Sequence, residues 1–386
     1  MNYLRLISRN TFQAALDSLL LRFFANRGKG NKAGGREKVC LLRLDGLGDV
    51  VLFVDALRGY RDLFDTKDYE ITFITEDWIA PLFEGCPYLD KITGCDTRRF
   101  KKDLTYRLRF LAAIRREGYD VFINSCINRE LLYGDIMAHA SAAGRTYGFQ
   151  PGHGQACEKV LGSRFYTDLA ARPARDMHET EKNAALAGLV AGRTVRPGKP
   201  RMDWHGRPDK TGYFVIAPGA KDAVRRWPEA RFASLCGILY RQLKLAPVII
   251  GGKNDSRIAD AIVKAAPKIP FADKTGKLDL PASAREISGA RFLISNESGP
   301  AHLGVATGTK TFVIASGNSF ARYVSYPEHL GVDQIVIHQG DTACFNCHGN
   351  CVHKNRGIFP CIENITVEQA AQAVLENLKP ETARGL

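Results

Sequence analysis

The sequence predicts an α/β protein built from two doubly wound, Rossmann-like domains. Short apolar runs alternate with helix-length stretches, the pattern of a parallel sheet covered by helices. The alternation occurs twice, on either side of RTVRPGKPRMDWHGRPDK at 193–210, a break rich in Gly, Pro and charge. A chain of 386 residues also suits two domains at roughly 150 residues each.

The elements follow in order. KVCLLRL (38–44) reads as a buried strand, VVLFVDALRGYRDLF (50–64) as a helix, YEITFIT (69–75) as a strand and DWIAPLFEG as a short helix. DKITGC (90–95) is a strand. Residues 98–118 form a helix whose apolar stripe is Phe100, Leu104, Leu108 and Leu111. YDVFINS (119–125) is a strand, 129–144 a helix, 150–176 a polar irregular stretch and 178–192 a helix. Past the break, YFVIAPG is a strand and loop, 227–243 a helix, APVIIGG a strand and loop, and NDSRIADAIVKAA a helix. ARFLISNES is a strand and loop, GPAHLGVATG begins a helix and KTFVIAS is a strand.

Hydrophobic residues make up 45% and charged residues 25%, which excludes a disordered, collagenous or coiled-coil chain. No run of 18 apolar residues predicts a membrane span, and no secretory signal is expected. The net charge is +13, and it is local. Residues 1–40 and 97–116 together carry the whole excess, so two basic faces are expected and an anionic partner with them. At the N-terminus Leu4, Ile7, Phe12, Leu16, Leu19, Leu20 and Phe23 recur near helical spacing, with Arg5, Arg9, Arg22 and Arg27 between them. Such a helix fits either a lipid interface or the protein's own core. GKGNKAGG (28–35) reads as a flexible linker.

Five motifs bear chemistry. DGLGDVV (45–51) sits at a strand-to-helix turn, where Gly46 and Gly48 admit close backbone approach. It lacks the third glycine and the distal acid of a dinucleotide fingerprint. Asp49 reads as a helix cap or, if desolvated, a general base. PGAKDAVRRWPEARF (218–232) puts Lys221, Arg225 and Arg226 before a helix start, an awkward place for cations unless an anion lies between. GGKNDSRI (251–258) offers Asp255 as a ribose-hydroxyl acceptor or a plain cap. SNESGPAHLGVATG (295–308) offers the amides of Ser298 and Gly299 to a phosphate, flanked by Glu297 and by His302, which also fits a packed structural role.

The fifth motif holds Cys344, Cys347, Cys351 and Cys361, spaced C-x2-C-x3-C-x9-C, with His348 and His353 nearby. The set has one metal-binding bite but not the paired spacing of a zinc ribbon, so a structural zinc, reduced thiols and a local disulfide stay open. A reducing compartment is expected.

Taken in order, GLGDVV (46–51), GRTYGF (144–149), RRWPEARF (225–232), SNESGPAHL (295–303) and the cysteine-rich stretch followed by ITVEQAAQAV resemble the family-nine glycosyltransferases, the heptosyltransferases of lipopolysaccharide core assembly. The resemblance runs from about residue 38 to 378. It implies a GT-B fold, two Rossmann-like domains facing across a cleft. Residues 1–35 would be a basic amphipathic extension, 36–195 the acceptor domain, and 196–386 the donor domain with its Cys-rich segment at 344–361. It implies Asp49 as catalytic base. Lys221, Arg225, Arg226, Asp255, Glu297, Ser298, Gly299 and His302 would bind the donor, and Gly48, Arg98, Arg99, Lys101, Lys102 and Arg145 the acceptor. Two positions depart from the family pattern: Glu297 replaces Asp, and Arg225 replaces Lys.

The expected chemistry is inverting sugar transfer, most simply of heptose from ADP-heptose to an anionic glycolipid. No cofactor is required for catalysis, nucleic acid is not a partner, and the basic segments hold the protein on the cytoplasmic membrane's inner face. Transfer of another nucleotide sugar to a different surface glycan is the alternative within this class. From other classes come a nucleotide-dependent oxidoreductase, which the incomplete glycine motif disfavours, and a non-catalytic module that binds nucleic acid or membrane through its basic segments.

Overall fold

The structure, a computed structural model, describes residues 9–24, 35–152, 154–206, 208, 212–340, 342, 344–353, 357 and 359–378. Of the N-terminal readings, residues 1–8 and nearly all of the expected linker lie outside them. The described residues form two compact units. One runs from the N-terminal helix to Ala174 and resumes over Glu179–Gly198; the other takes Arg175–His178 and resumes at Lys199.

The first unit contains α1 (Arg9–Phe24), β1 (Glu37–Arg43), α2 (Leu47–Leu52), α3 (Val54–Leu63), β2 (Tyr69–Glu76), β3 (Lys91–Cys95), α4 (Thr97–Lys102) and α5 (Leu104–Glu117). It continues with β4 (Val121–Asn124), α6 (Ile136–Ser141), β5 (Arg145–Phe149), α7 (Ala156–Ser163), β6 (Asp168–Ala170) and α8 (Glu179–Ala191). Its six strands are all parallel, in the order β3-β2-β1-β4-β5-β6. The central strands are continuous apolar runs because helices cover both sheet faces: five of the seven residues of β1, and all four of β4, are buried.

The second unit repeats that winding. It holds β7 (Tyr213–Ala217), α9 (Glu229–Leu243), β8 (Ala246–Ile249), α10 (Ser256–Ala265), β9 (Ala272–Asp273), α11 (Leu280–Ser288), β10 (Leu293–Asn296) and α12 (Gly299–Ala306). Then come β11 (Thr311–Ala315), α13 (Phe320–Tyr323), β12 (Gln334–His338), α14 (Pro360–Glu363) and α15 (Val367–Asn377). Its parallel sheet runs β12-β11-β10-β7-β8-β9, the same topology read from the other side. Its core joins Phe214 of β7, Phe312 of β11 and Phe292 just before β10 to Phe232 of α9 and Trp227 just before that helix. Trp227 is buried, meets Phe232 edge-on at 5.1 Å and donates its indole N–H to Ile365 O at 2.9 Å.

Several elements depart from the sequence reading. The helix expected at 98–118 is two helices that break at Asp103, whose backbone is extended (φ −105°, ψ 104°) and whose carboxylate accepts the Tyr106 N–H at 3.0 Å. An aspartate that caps its own downstream helix competes with helix continuation. Phe100 and Leu111 are buried as the stripe required, but Leu104 is 41% exposed. The helix expected at 50–64 starts at Leu47 and is interrupted at Phe53. The 129–144 segment opens with a π-helical turn, Leu131–Asp135. The stretch read as irregular, 150–176, contains α7 and the edge strand β6; a capping box between Gln155 and Glu158 starts α7.

Of its two candidate placements, α1 takes the packed one. Ala14 and Asp17 are buried, and Asp17 pairs with the buried Arg107 of α5 at 2.9 Å. Phe12 and Leu19 remain exposed. Among the described residues, no helix is long and apolar enough to cross a membrane.

Candidate active site

Each sheet reverses its winding beside its first strand. β1 lies between β2 and β4, and β7 between β8 and β10. Open parallel sheets bind ligands outside the C-terminal strand ends at such a reversal. The loops leaving β1, β7 and β10 there are the ones the first, second and fourth motifs supply.

In the first unit, β1 ends at Arg43, and the turn Leu44–Gly46 opens α2. The N-cap of α2 is Gly46, with no side-chain cap, and Asp49 lies in the first turn. Asp49 is thus not itself the N-cap residue, and its carboxylate lies beside a buried cation. Arg43 is fully buried. Its guanidinium reaches Asp45 at 2.8 Å, Glu179 at 3.3 Å and Asp49 at 3.8 Å, and donates to Ser125 O at 2.7 Å and Asn183 Oδ1 at 3.0 Å. Burial alone favours the neutral base, but Asp45, Glu179 and Asp49 outweigh it and push the Arg43 pKa up. Asp49 itself is partly open to solvent.

One small cavity adjoins this turn, and a second adjoins the first. The first, of about 190 Å³, is lined by Asp45, Thr97, Cys126, Asn128 and Arg129 among others. The other, of about 230 Å³, shares Arg129, Glu130 and Tyr133 with it and adds Asn10 of α1, Lys101 and Lys159. Arg129 is buried and paired with Asp135 at 2.8 Å. The expected acceptor residues divide. Lys101 reaches the second cavity, and Arg98, Arg99 and Lys102 are exposed on α4. Arg145 begins β5, at the N-terminal strand ends and so the opposite end of the sheet from Asp49, and pairs there with Glu37 at 2.8 Å.

In the second unit, Asn296 ties the two key loops together. It is fully buried, donates to Pro218 O at 2.6 Å and accepts the Trp227 N–H at 3.2 Å. The β7 loop thus lies against the β10 loop, and Arg225 reaches Glu297 O at 3.4 Å. Arg225 also pairs with Asp222 at 2.7 Å. Arg226 donates to Ala220 O and Lys221 O, shaping the loop, while the Lys221 side chain is exposed. Asp255 accepts the Gly252 N–H at 2.9 Å and presses on the β7 loop: a Cβ on Gly219 would stand 2.5 Å from its carboxylate. A side chain at Gly219 would have to displace the Asp255 carboxylate. Ser298 is the N-cap of α12 and makes no side-chain cap bond, and Ser298 and Gly299 at the helix start are both partly exposed. Glu297 is buried, and burial pushes its carboxyl pKa up to about 8, against the pull of Arg225 and a Ser316 hydroxyl at 3.3 Å. His302 is buried and its Nδ1 lies 3.0 Å from the Tyr326 hydroxyl.

Lys221, Arg225, Asp255, Glu297, Ser298 and Gly299 thus gather at one strand-end face of the second unit. The sequence reading missed Arg43, Glu179, Lys182 and Asn296. A charge ending the apolar run KVCLLRL was the available signal for Arg43, and Asn296 lies inside the fourth motif; nothing local marked Glu179 or Lys182. The cysteine-rich loop packs beside β11, where Asn346 N–H bonds Gly317 O at 2.6 Å. All ten cysteines are free thiols. Among the described residues, no group of three or more His, Cys, Asp or Glu side chains is arranged to hold a metal ion.

The family model described as glycosyltransferase family 9 (heptosyltransferase) matches residues 107–315, more than half of the chain. Lipopolysaccharide heptosyltransferase 1 of Escherichia coli is 21% identical over 282 residues, covering 70% of this chain and 84% of that protein. A family 9 glycosyl transferase from Veillonella parvula superposes with a TM-score of 0.73 at 19% identity, covering 89% of this chain and 97% of that one. The E. coli heptosyltransferase WaaC with ADP gives 0.71 at 17% identity, covering 88% and 99%. These likenesses show the fold, which is GT-B.

Proposed function

Because the chain belongs to glycosyltransferase family 9, we propose that it transfers heptose from ADP-heptose, with inversion, to a lipopolysaccharide core or related anionic glycolipid. One observation carries the reading: the strand-end loops of the two units bear opposite chemistry. The first unit presents a carboxylate, Asp49, and the second presents Arg225 beside the helix start at Ser298–Gly299.

In this reading Asp49 takes the proton of an acceptor hydroxyl. The oxygen attacks the anomeric carbon, the bond from that carbon to the diphosphate breaks, and ADP leaves. Arg225, Lys221 and the amides at Ser298 and Gly299 meet the charge that develops on the diphosphate. Donors fixed in advance typically lower such a barrier by about 3–4 kcal/mol each, and a positioned base adds a factor of roughly 10²–10⁴. Asp255 receives the ribose hydroxyls. Glu297, protonated up to about pH 8, offers an O–H as well as an acceptor to the sugar. Because it is one methylene longer than the family's aspartate, it favours a second reading in which another nucleotide sugar is the donor.

No step passes through a metal, and zinc in the cysteine-rich loop forms no part of the reading. The exposed cations Arg98, Arg99, Lys101 and Lys102, together with Phe12 and Leu19 on α1, support peripheral attachment to an anionic membrane surface. A thermal-shift panel of nucleotide sugars tests the donor assignment. A ligand at a hundred times its Kd stabilises the protein by about 2.7 kcal/mol. ADP-heptose should give the largest shift; a larger shift from a uridine- or guanosine-linked sugar would replace it as donor.

A further inference from the structure

Around the Arg43 guanidinium three carboxylates compete for one buried cation. Asp45 comes from the turn after β1, Asp49 from α2, and Glu179 from the first residue of α8. Arg43 lies nearest Asp45 (2.8 Å) and farthest from Asp49 (3.8 Å). Glu179 and Asp49 approach the same nitrogen, Nη2. Glu179 also accepts from Lys182, one turn further along α8, at 3.1 Å, and both side chains are buried. Among the described residues, neutral groups also face Arg43. Asn183 bridges Arg43 and Leu52 O, Ser125 offers only its carbonyl, and the Cys126 thiol and Tyr60 hydroxyl are pushed up by burial.

We propose that Glu179 and Lys182 are positioning residues for the transfer reaction, setting through Arg43 how readily Asp49 accepts a proton. Glu179 draws Arg43 toward itself, so Asp49 shares the cation instead of owning it. A carboxylate fully neutralised by a guanidinium is a weak base, and one left too exposed to its like-charged neighbours stays protonated. Lys182 sets the balance by taking part of the Glu179 charge. The inference rests on Asp49 being the base.

The charge logic demands opposite responses from two neighbouring variants. Glu179→Gln keeps shape and removes a negative charge, which hands Arg43 to Asp49. Lys182→Met removes a positive charge from the same cluster. The experiment measures kcat/KM against pH for wild type, both variants and Asp49→Asn, with donor Kd and melting temperature recorded for each. The acid limb should move down by about one pH unit in Glu179→Gln and up by a similar amount in Lys182→Met, with donor Kd unchanged within about twofold. Limbs that stay in place, or move in the same direction, while Asp49→Asn is inactive would overturn the positioning role and leave the base intact. An active Asp49→Asn enzyme would instead remove the base assignment itself. If Lys182→Met does not fold, Lys182→Arg, which conserves the charge, must leave the limb in place, and the Glu179→Gln shift alone decides.

Discussion

Glu297 is a carboxyl with almost no water around it, and that makes the stability of the free enzyme depend on pH in a calculable way. Burial raises its pKa from the ordinary 4.5 to about 8, only partly offset by Arg225 and the Ser316 hydroxyl. Below the ordinary value the side chain is protonated in both folded and unfolded chains, and the fold bears no penalty. Between the two values the unfolded chain ionises freely while the fold resists, so stability falls by about 1.4 kcal/mol per pH unit. Above about 8 the penalty is complete, on the order of 4–5 kcal/mol. Glu297→Gln preserves the volume and the Ser316 contact but removes the titration. Urea unfolding of the ligand-free protein, followed by circular dichroism at about pH 5 and about pH 9, gives the comparison. The variant should match wild type within about 1 kcal/mol at the lower pH and exceed it by several kcal/mol at the higher. A difference independent of pH would refute the reasoning, because it would mean that Glu297 ionises in the fold as it does in water.

Other perturbations test the remaining supports. Arg107→Ala strands the buried Asp17 carboxylate and should cost about 3–5 kcal/mol; Asp17→Asn in the same chain should recover part of it, read as melting temperature and as protease sensitivity within α1. Trp227→Ala removes a fully buried indole and its bond to Ile365 O and should cost about 3–5 kcal/mol. Gly219→Ala places a methyl 2.5 Å from the Asp255 carboxylate and should weaken nucleotide binding in calorimetry by about tenfold or more, with little loss of melting temperature. The proposed transfer passes through no metal, so a strong chelator should leave turnover unchanged; a fall in turnover would show a metal at work.

The fold was legible wherever the chain repeats a simple rule. Fully buried parallel strands such as KVCLLRL and KTFVIAS announce themselves as apolar runs, and two rounds of alternation give two wound sheets. What escaped is what periodicity does not encode. Asp103 breaks a helix whose apolar stripe runs straight through it, because a side-chain cap outweighs a pattern. β6 is three residues long at the edge of its sheet, too short to alternate. The candidate site was read from glycines and charges that cluster after apolar runs, as at Asp49, Arg225 and Glu297, and the structure puts these residues at strand ends. It was illegible where the partner comes from far along the chain. Glu179 stands well over a hundred residues from Arg43, and only the docking of α8 against α2 and α3 makes them neighbours. Arg145 shows the reverse limit, since a motif residue in a strand sits at whichever end the strand gives it, here the N-terminal end, away from Asp49.

The central claim is that Asp49 deprotonates the acceptor while the second unit holds the donor. Turnover and donor affinity measured side by side in Asp49→Asn test it most directly. The account predicts that ADP-heptose binds the variant as it binds wild type, while transfer falls by a factor of roughly 10²–10⁴. Transfer at near wild-type rate would contradict it, and the proton would have to leave by another group.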